Sequence, residues 1–469
     1  MRIRDIRITG AQRALGVRVI LGAVTAVAAV AGVTAAAALP WPAVSTPPRM
    51  LEITPAPAEA VLACDGPVLA LGRSAEEASA LSVARPGAVT VGNDRGDEPG
   101  SDVLAQPTIE GEAAATRYVQ RPDGREAVSA AAASSASLAD TDMAGFTASA
   151  CRPPQMKSWI AGGDTETGTT GILLLANPGD VNATVQVTVY GATGPVTPPG
   201  AEAVPIPART QVALPLAGLA GGEQSPVLRI TATGAPVRTS LQSSIIRTLE
   251  PGGIDTQSAV RPALDQVIPG LRVVGDAAGT EGASAIVRLL SEADTTATVT
   301  VTDAEEGTPV GDPIPVELTA GAPIEQDLGV LDEGAYTVSI RAAEPVVAAA
   351  WQTTGFGAGA DFAWNTAAPA FADATLIAVP PGDDATISIA NPAAEDITVS
   401  VAGLGDEPQD IAIAAGTSAV IDVTADKLYT IDPQGAPVHA AIGFANDSAV
   451  ASIAVWPDAA HPRPVVVYP

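Results

Sequence analysis

Two histidines, His439 and His461, are the only imidazoles in the chain, and neither has the setting that base catalysis requires. A serine nucleophile needs a base oriented beside it, and no G-x-S-x-G elbow occurs anywhere. His439 falls in a strand-like run that recurs in two other segments, which makes it an ordinary structural position. His461 falls in a proline-rich turn. Two facing carboxylates could hydrolyse a glycosidic bond, but 52 acidic residues supply so many possible pairs that none is singled out. The reading is of a chain with no catalytic residues, no cofactor site and no metal centre.

Two weaker chemistries have some support in the residues. The run GNDRGDEPGSD offers Asn93, Asp94, Asp97, Glu98 and Asp102, hard oxygens of the kind calcium takes, but without EF-hand spacing. A solvated acidic loop over residues 91–115 is the expectation, with calcium left open. Sugar-binding sandwiches use exposed aromatic platforms. Here Trp159, Trp351, Trp364 and Trp456 are few, and Trp159, Trp351 and Trp456 sit in strand patterns, so core packing is expected of those three.

Cys64 and Cys151 are the only thiols. Their even number and their place after an export segment predict a disulfide. No C-x-x-C spacing is present, and two isolated sulfurs without neighbouring histidines do not make a zinc site.

The elements that must position these residues follow from charge and periodicity. From Val19 to Leu39 there are 21 uncharged residues, enough to cross a hydrocarbon core of about 30 Å. Five arginines (Arg2, Arg4, Arg7, Arg13, Arg18) precede this run, which places the N-terminus in the cytoplasm and the rest outside. A cleaved signal peptide, with Ala35–Ala38 as its small-residue site, is the alternative. The net charge of -28 repels phosphate backbones, so nucleic acid is not an expected partner.

The 469 residues of the chain exceed what one core holds, and beyond the anchor the chain repeats itself. One copy runs ILLLA from Ile172, ATVQVTVY from Ala183, then VLRITATG and APVRTSLQ from Val227. AIVRLL, ATVTVT, AYTVSIRA and EPVVAAAW repeat that order from Ala285, and TISIANP, DITVSVAG, KLYTID and APVHAAIG repeat it again from Thr386. The alternation is that of half-buried strands. A shared proline stands at Pro236, Pro345 and Pro437, 109 and 92 residues apart, about the length of an immunoglobulin-like sandwich. The expected fold is all-β, tandem immunoglobulin-like sandwiches after one transmembrane helix, with a propeller-like closed array as the alternative. Proline-led strands around Trp159, Val273 and Ile377 resemble the C-terminal HPRPVVVYP and are read as closing strands. The expected organisation is a basic cytoplasmic segment (1–18), an anchor (19–39), a proline-rich stalk (40–60), an N-terminal β module (61–163) and three sandwiches (164–275, 276–380, 381–469).

The anchor, the Cys64 and Cys151 pair, SWIAGG, LLLANP, ATVQVTVYG and SPVLRITATGAPVRTSLQ together resemble an uncharacterised actinobacterial family, domain of unknown function 5719. That resemblance implies an exported, anchored protein and carries over no activity. The functional expectation is a non-enzymatic scaffold or interaction protein of the cell envelope, held in the membrane by its N-terminal helix. Its expected partner is an unidentified envelope protein or cell-wall polymer. An exported enzyme or glycan-binding protein is the alternative.

Overall fold

The computed structural model describes residues 10–38, 51–53, 55–73, 77, 79–247, 249–281, 284–458 and 465–467. The chain is mostly strand and divides into two units. One holds the N-terminus to Pro55 together with Pro464–Pro469, and the other spans Ala56–Arg463.

The N-terminal unit contains the helix Gly10–Ala38. Its segment Val17–Ala37 is long and apolar enough to cross a membrane, and its valines are exposed. A helix that is apolar all round needs an apolar surrounding on every side. Leu51–Ile53, within the expected stalk, forms a strand antiparallel to Val465–Val467. This corrects the reading of the C-terminal segment, which was expected to close the last sandwich and instead pairs within the N-terminal unit.

The larger unit holds four repeats: the first, from Ala60–Ala63 to Ala144–Ala150, has three small three-stranded sheets, and the second to fourth are built alike, each from two four-stranded orders. In residues 157–258 one sheet runs Lys157–Ile160, Val227–Thr233, Ala183–Gly191, with Gly194–Val196 and Val204–Ile206 both on its far edge. The other runs Thr210–Pro215, Thr169–Asn177, Arg238–Arg247, Glu250–Ser258. The last repeat has the same two orders, starting from Thr375–Val379 and Ser418–Asp422. In the third, one 20-residue strand, Gly334–Thr353, serves both sheets. Apolar side chains fill the space between paired sheets, for example Leu173, Val185, Val187, Leu228 and Ile230. Alternation along each strand puts them on one face. The shared prolines mark the point where the chain leaves one sheet for the other. Proline cannot donate to a ladder, so it belongs where pairing changes.

The same pairings correct the framing of the modules. The strands Lys157–Ile160, Ala263–Val273 and Thr375–Val379 were read as closing strands, yet each pairs with a strand of the repeat that follows it. They open modules, so the boundaries move by one strand. Ala60–Ala63 opens the first repeat in the same way, pairing with Thr116–Gln120.

The Ala-Asn-Pro motif also has a structural reason. The Asn177 amide donates to Val181 and Ile206 carbonyls while its oxygen accepts from Gly179 N. Asn391 repeats this with Glu395, Ile413 and Ala393. Each asparagine closes its own turn and ties it to a neighbouring strand.

Every repeat ends in a hairpin, and the four final strands, Ala144–Ala150, Glu250–Ser258, Phe362–Thr366 and Ala449–Ala454, lie at the edges of their sheets. Each packs against the next, and the fourth packs against the first. The repeats therefore meet in a closed circuit, although the second to fourth are each built from two packed sheet layers, the first from three small sheets, and none is a single-sheet propeller blade. Every seam carries polar bonds. Gln242 holds both backbone groups of Leu69, Tyr190 donates to Glu292 at 2.9 Å, Thr337 meets Ser418 at 2.8 Å, and Thr90 donates to Asp426 at 2.6 Å.

Candidate functional site

A cleft of about 680 Å³ lies at the seam between the third and fourth repeats. One wall is the outer face of the third repeat. Val299, Val301, Val338 and Ile340 point into the core, so the alternate residues Thr298, Thr300, Thr302, Thr337, Ser339 and Arg341 point outward. Register sets them in rows: Thr298 opposite Arg341, Thr300 opposite Ser339, Thr302 opposite Thr337, with Asp265 beyond Arg341. Directly opposed residues stand roughly 5 Å apart and successive rows about 7 Å. The other wall is supplied by Asn391, Thr417, Ser418 and His439.

Among the described residues, the hydroxyls of Thr298, Thr300, Thr302 and Ser339 have no side-chain hydrogen bond. They are therefore open to a ligand. Asp265 accepts from Arg341 Nε at 2.7 Å, so the cleft's ion pair is internally neutralised. His439 was expected in an ordinary strand position, and its Nδ1 lies 2.6 Å from the Ala368 carbonyl. The ring is buried, which lowers its pKa, so Nδ1 donates from a neutral imidazole. One paired carboxylate and a neutral histidine can orient a ligand through hydrogen bonds.

Other expected site residues are dispersed. Cys64 and Cys151 form a disulfide, buried with Leu62 and Ala132, and it links the end of Ala60–Ala63 to the end of Ala144–Ala150. The stretch expected as one loop over residues 91–115 instead takes in the end of the strand Ala88–Asn93 and the short strands Gly100–Val103 and Ile109–Glu110. In it Asn93 Oδ1 accepts from the Arg95 and Asp97 amides, Asp94 accepts from Ser129 N, and Asp102 pairs with Arg117 and Arg209. The two arginines hold the Asp102 carboxyl below the usual range. The stretch's oxygens thus serve separate partners. Trp159 and Trp364 are in the core, and Trp351 is half-buried against Phe362. Trp456, expected in a strand, follows one, and its ring packs against the guanidinium groups of Arg152 and Arg261. His461 lies outside the described residues.

Sequence reasoning missed a set of buried ionic groups at the seams. Arg238 pairs with Asp65. Arg288 pairs with Glu325 and donates to the Gly163 and Pro226 carbonyls. Asp255 accepts from Trp364 N, and Asp361 from three backbone amides. Their signal was a charged residue inside an apolar strand run, as in GGIDTQS and DFAWNT.

Residues 105–424 match a family model described as a family of unknown function (DUF5719). No curated protein matches the chain. A solved structure described as the BSP domain of a biofilm associated protein aligns at 12% identity, covering 72% of this chain and 65% of its own, with a TM-score of 0.11. The chain thus spans just under two thirds of that structure, and so low a score carries no argument.

Proposed function

Since the chain belongs to the family of unknown function DUF5719, we propose that it is a non-enzymatic, membrane-tethered scaffold whose β repeats lie outside the cytoplasm and present a polar binding cleft. The observation that carries this reading is the order of parts: an exposed apolar helix, Val17–Ala37, followed by a disulfide-bonded all-β body. Disulfides persist in oxidising compartments, which the preceding arginines also favour. Protease added to intact cells making the full chain should degrade the β body, while carbonate-washed membranes retain the helix. A β body protected from protease would overturn the orientation. A mature N-terminus near Leu39 or Pro40 would replace the anchor by a signal peptide.

A second reading, glycan binding, is favoured by the hydroxyl-lined cleft. Its neutral balance in a chain of net charge -28 suits an uncharged oligosaccharide, whose hydroxyls match a wall of donors and acceptors. Titration with cellohexaose, laminarihexaose and mannohexaose should give binding that Thr300→Trp abolishes by filling the cleft. Absence of binding to all three, or binding indifferent to the substitution, would remove this reading.

A further inference from the structure

Four sheet edges meet where the final strands of the repeats converge, and an edge strand has backbone N–H groups that no ladder satisfies. At this junction one side chain serves several of them. Asp361 Oδ2 accepts from Phe146 N at 2.9 Å and Val450 N at 3.3 Å, and Oδ1 accepts from Ile254 N at 3.1 Å. These three donors come from the first, fourth and second repeats, while Asp361 belongs to the third.

The residues that precede the donors are Gly145, Gly253 and Ala449, and Asp361 precedes Phe362 in the corresponding hairpin. Three repeats thus present a minimal side chain where one presents a carboxylate. A Cβ on Gly145 or on Gly253 would lie 2.6 Å from Asp361 Oδ1. The glycines leave the room that the single acid fills. Four carboxylates around one centre would repel one another, and none would leave the amides without acceptors.

We infer that Asp361 joins the four repeats at a common point and that gain or loss of its proton tunes how firmly the junction closes. Asp361 is fully buried, and burial pushes its carboxyl up to about 7 against the opposing effect of the amide donors. The other titratable groups facing it are few. Asp255, on Glu250–Ser258, is also pushed up by burial to about 7 and accepts from Trp364 N. Arg247 spends its guanidinium on the Gly252 and Ala360 carbonyls. Ala144–Ala150 and Ala449–Ala454 contain no ionisable side chain.

The folded pKa lies above the ordinary carboxyl value of 3.8, so the folded state holds a proton that the unfolded state releases. Stability from this group is therefore complete below the unfolded value and is lost as pH rises through about 7. One such group changes the unfolding constant by about tenfold per pH unit between the two values. The junction is tightest on the acid side of neutrality.

Thermal unfolding of the detergent-solubilised full chain, followed from pH 8 to pH 5, tests the inference, which does not rest on the proposed function. The wild type should gain stability as pH falls, and Asp361→Asn should take up about one proton fewer on folding. Equal pH slopes for the two proteins would overturn it. Carbon-13 carboxyl shifts of aspartate-labelled wild type make the test independent of the variant's folding. At least one aspartate should titrate above pH 6, and titration of every aspartate near 4 would overturn the inference.

Discussion

Arg238 Nη2 lies 2.9 Å from Asp65 Oδ2, with both side chains about 95% buried or more and a sequence separation of 173. The pair joins the second repeat to the first. Ser240 Oγ donates to Asp65 Oδ1 and the Arg238 guanidinium also donates to the Ala150 carbonyl, so both charges have further partners. Removing one member leaves the other buried and uncompensated. Asp65→Ala should therefore destabilise the chain by about 3–5 kcal/mol, read as a shift in the urea midpoint without loss of the transition's single step.

Gly253 has a φ of +110°, where residues with a Cβ are strained. Its missing Cβ also makes room for Asp361. Gly253→Ala should cost more than the roughly 1 kcal/mol of an ordinary glycine replacement at such an angle, because the carboxylate must move from its amide donors. A melting temperature equal to wild type would show that the junction has slack.

Cys64 and Cys151 close a loop with a sequence separation of 87. On the chain-entropy account, opening it removes about 4–5 kcal/mol. Reduced and alkylated protein should unfold at a correspondingly lower urea concentration, and non-reducing mass spectrometry of envelope-derived protein should find no free thiol.

The C-terminal strand Val465–Val467 pairs with Leu51–Ile53 and not with the fourth repeat. Deleting Pro464–Pro469 should leave the main melting transition unchanged. A lowered transition would show that this segment supports the repeats after all.

Much of the strand pattern was legible because one face of each strand is buried. Ala183–Gly191 alternates almost residue by residue, as do the runs from Ala297 and Asp396, and all three form strands. Boundaries were not legible, because a short apolar strand after a proline looks the same whether its partner precedes or follows it. Lys157–Ile160 finds that partner some 70 residues downstream, at Val227–Thr233. The cleft and the junction depend on how repeats meet one another. Thr300 reads only as the outward residue of a strand, and Asp361 only as an acid among apolar neighbours. Neither position announces what a distant repeat will place against it.

Ala60, near the start of the larger unit, and Pro457 and Asp458, near its end, line the same small apolar slot of about 70 Å³. A closed circuit whose first and last residues adjoin has no obligatory starting member. Joining 458 to 60 and opening the chain between the second and third repeats at residues 261–262, after the buried Val260, would keep the polar bonds of all four seams. Such a permuted order of synthesis would reach the same set of contacts, with the seam between first and fourth repeats made early and that between second and third made last.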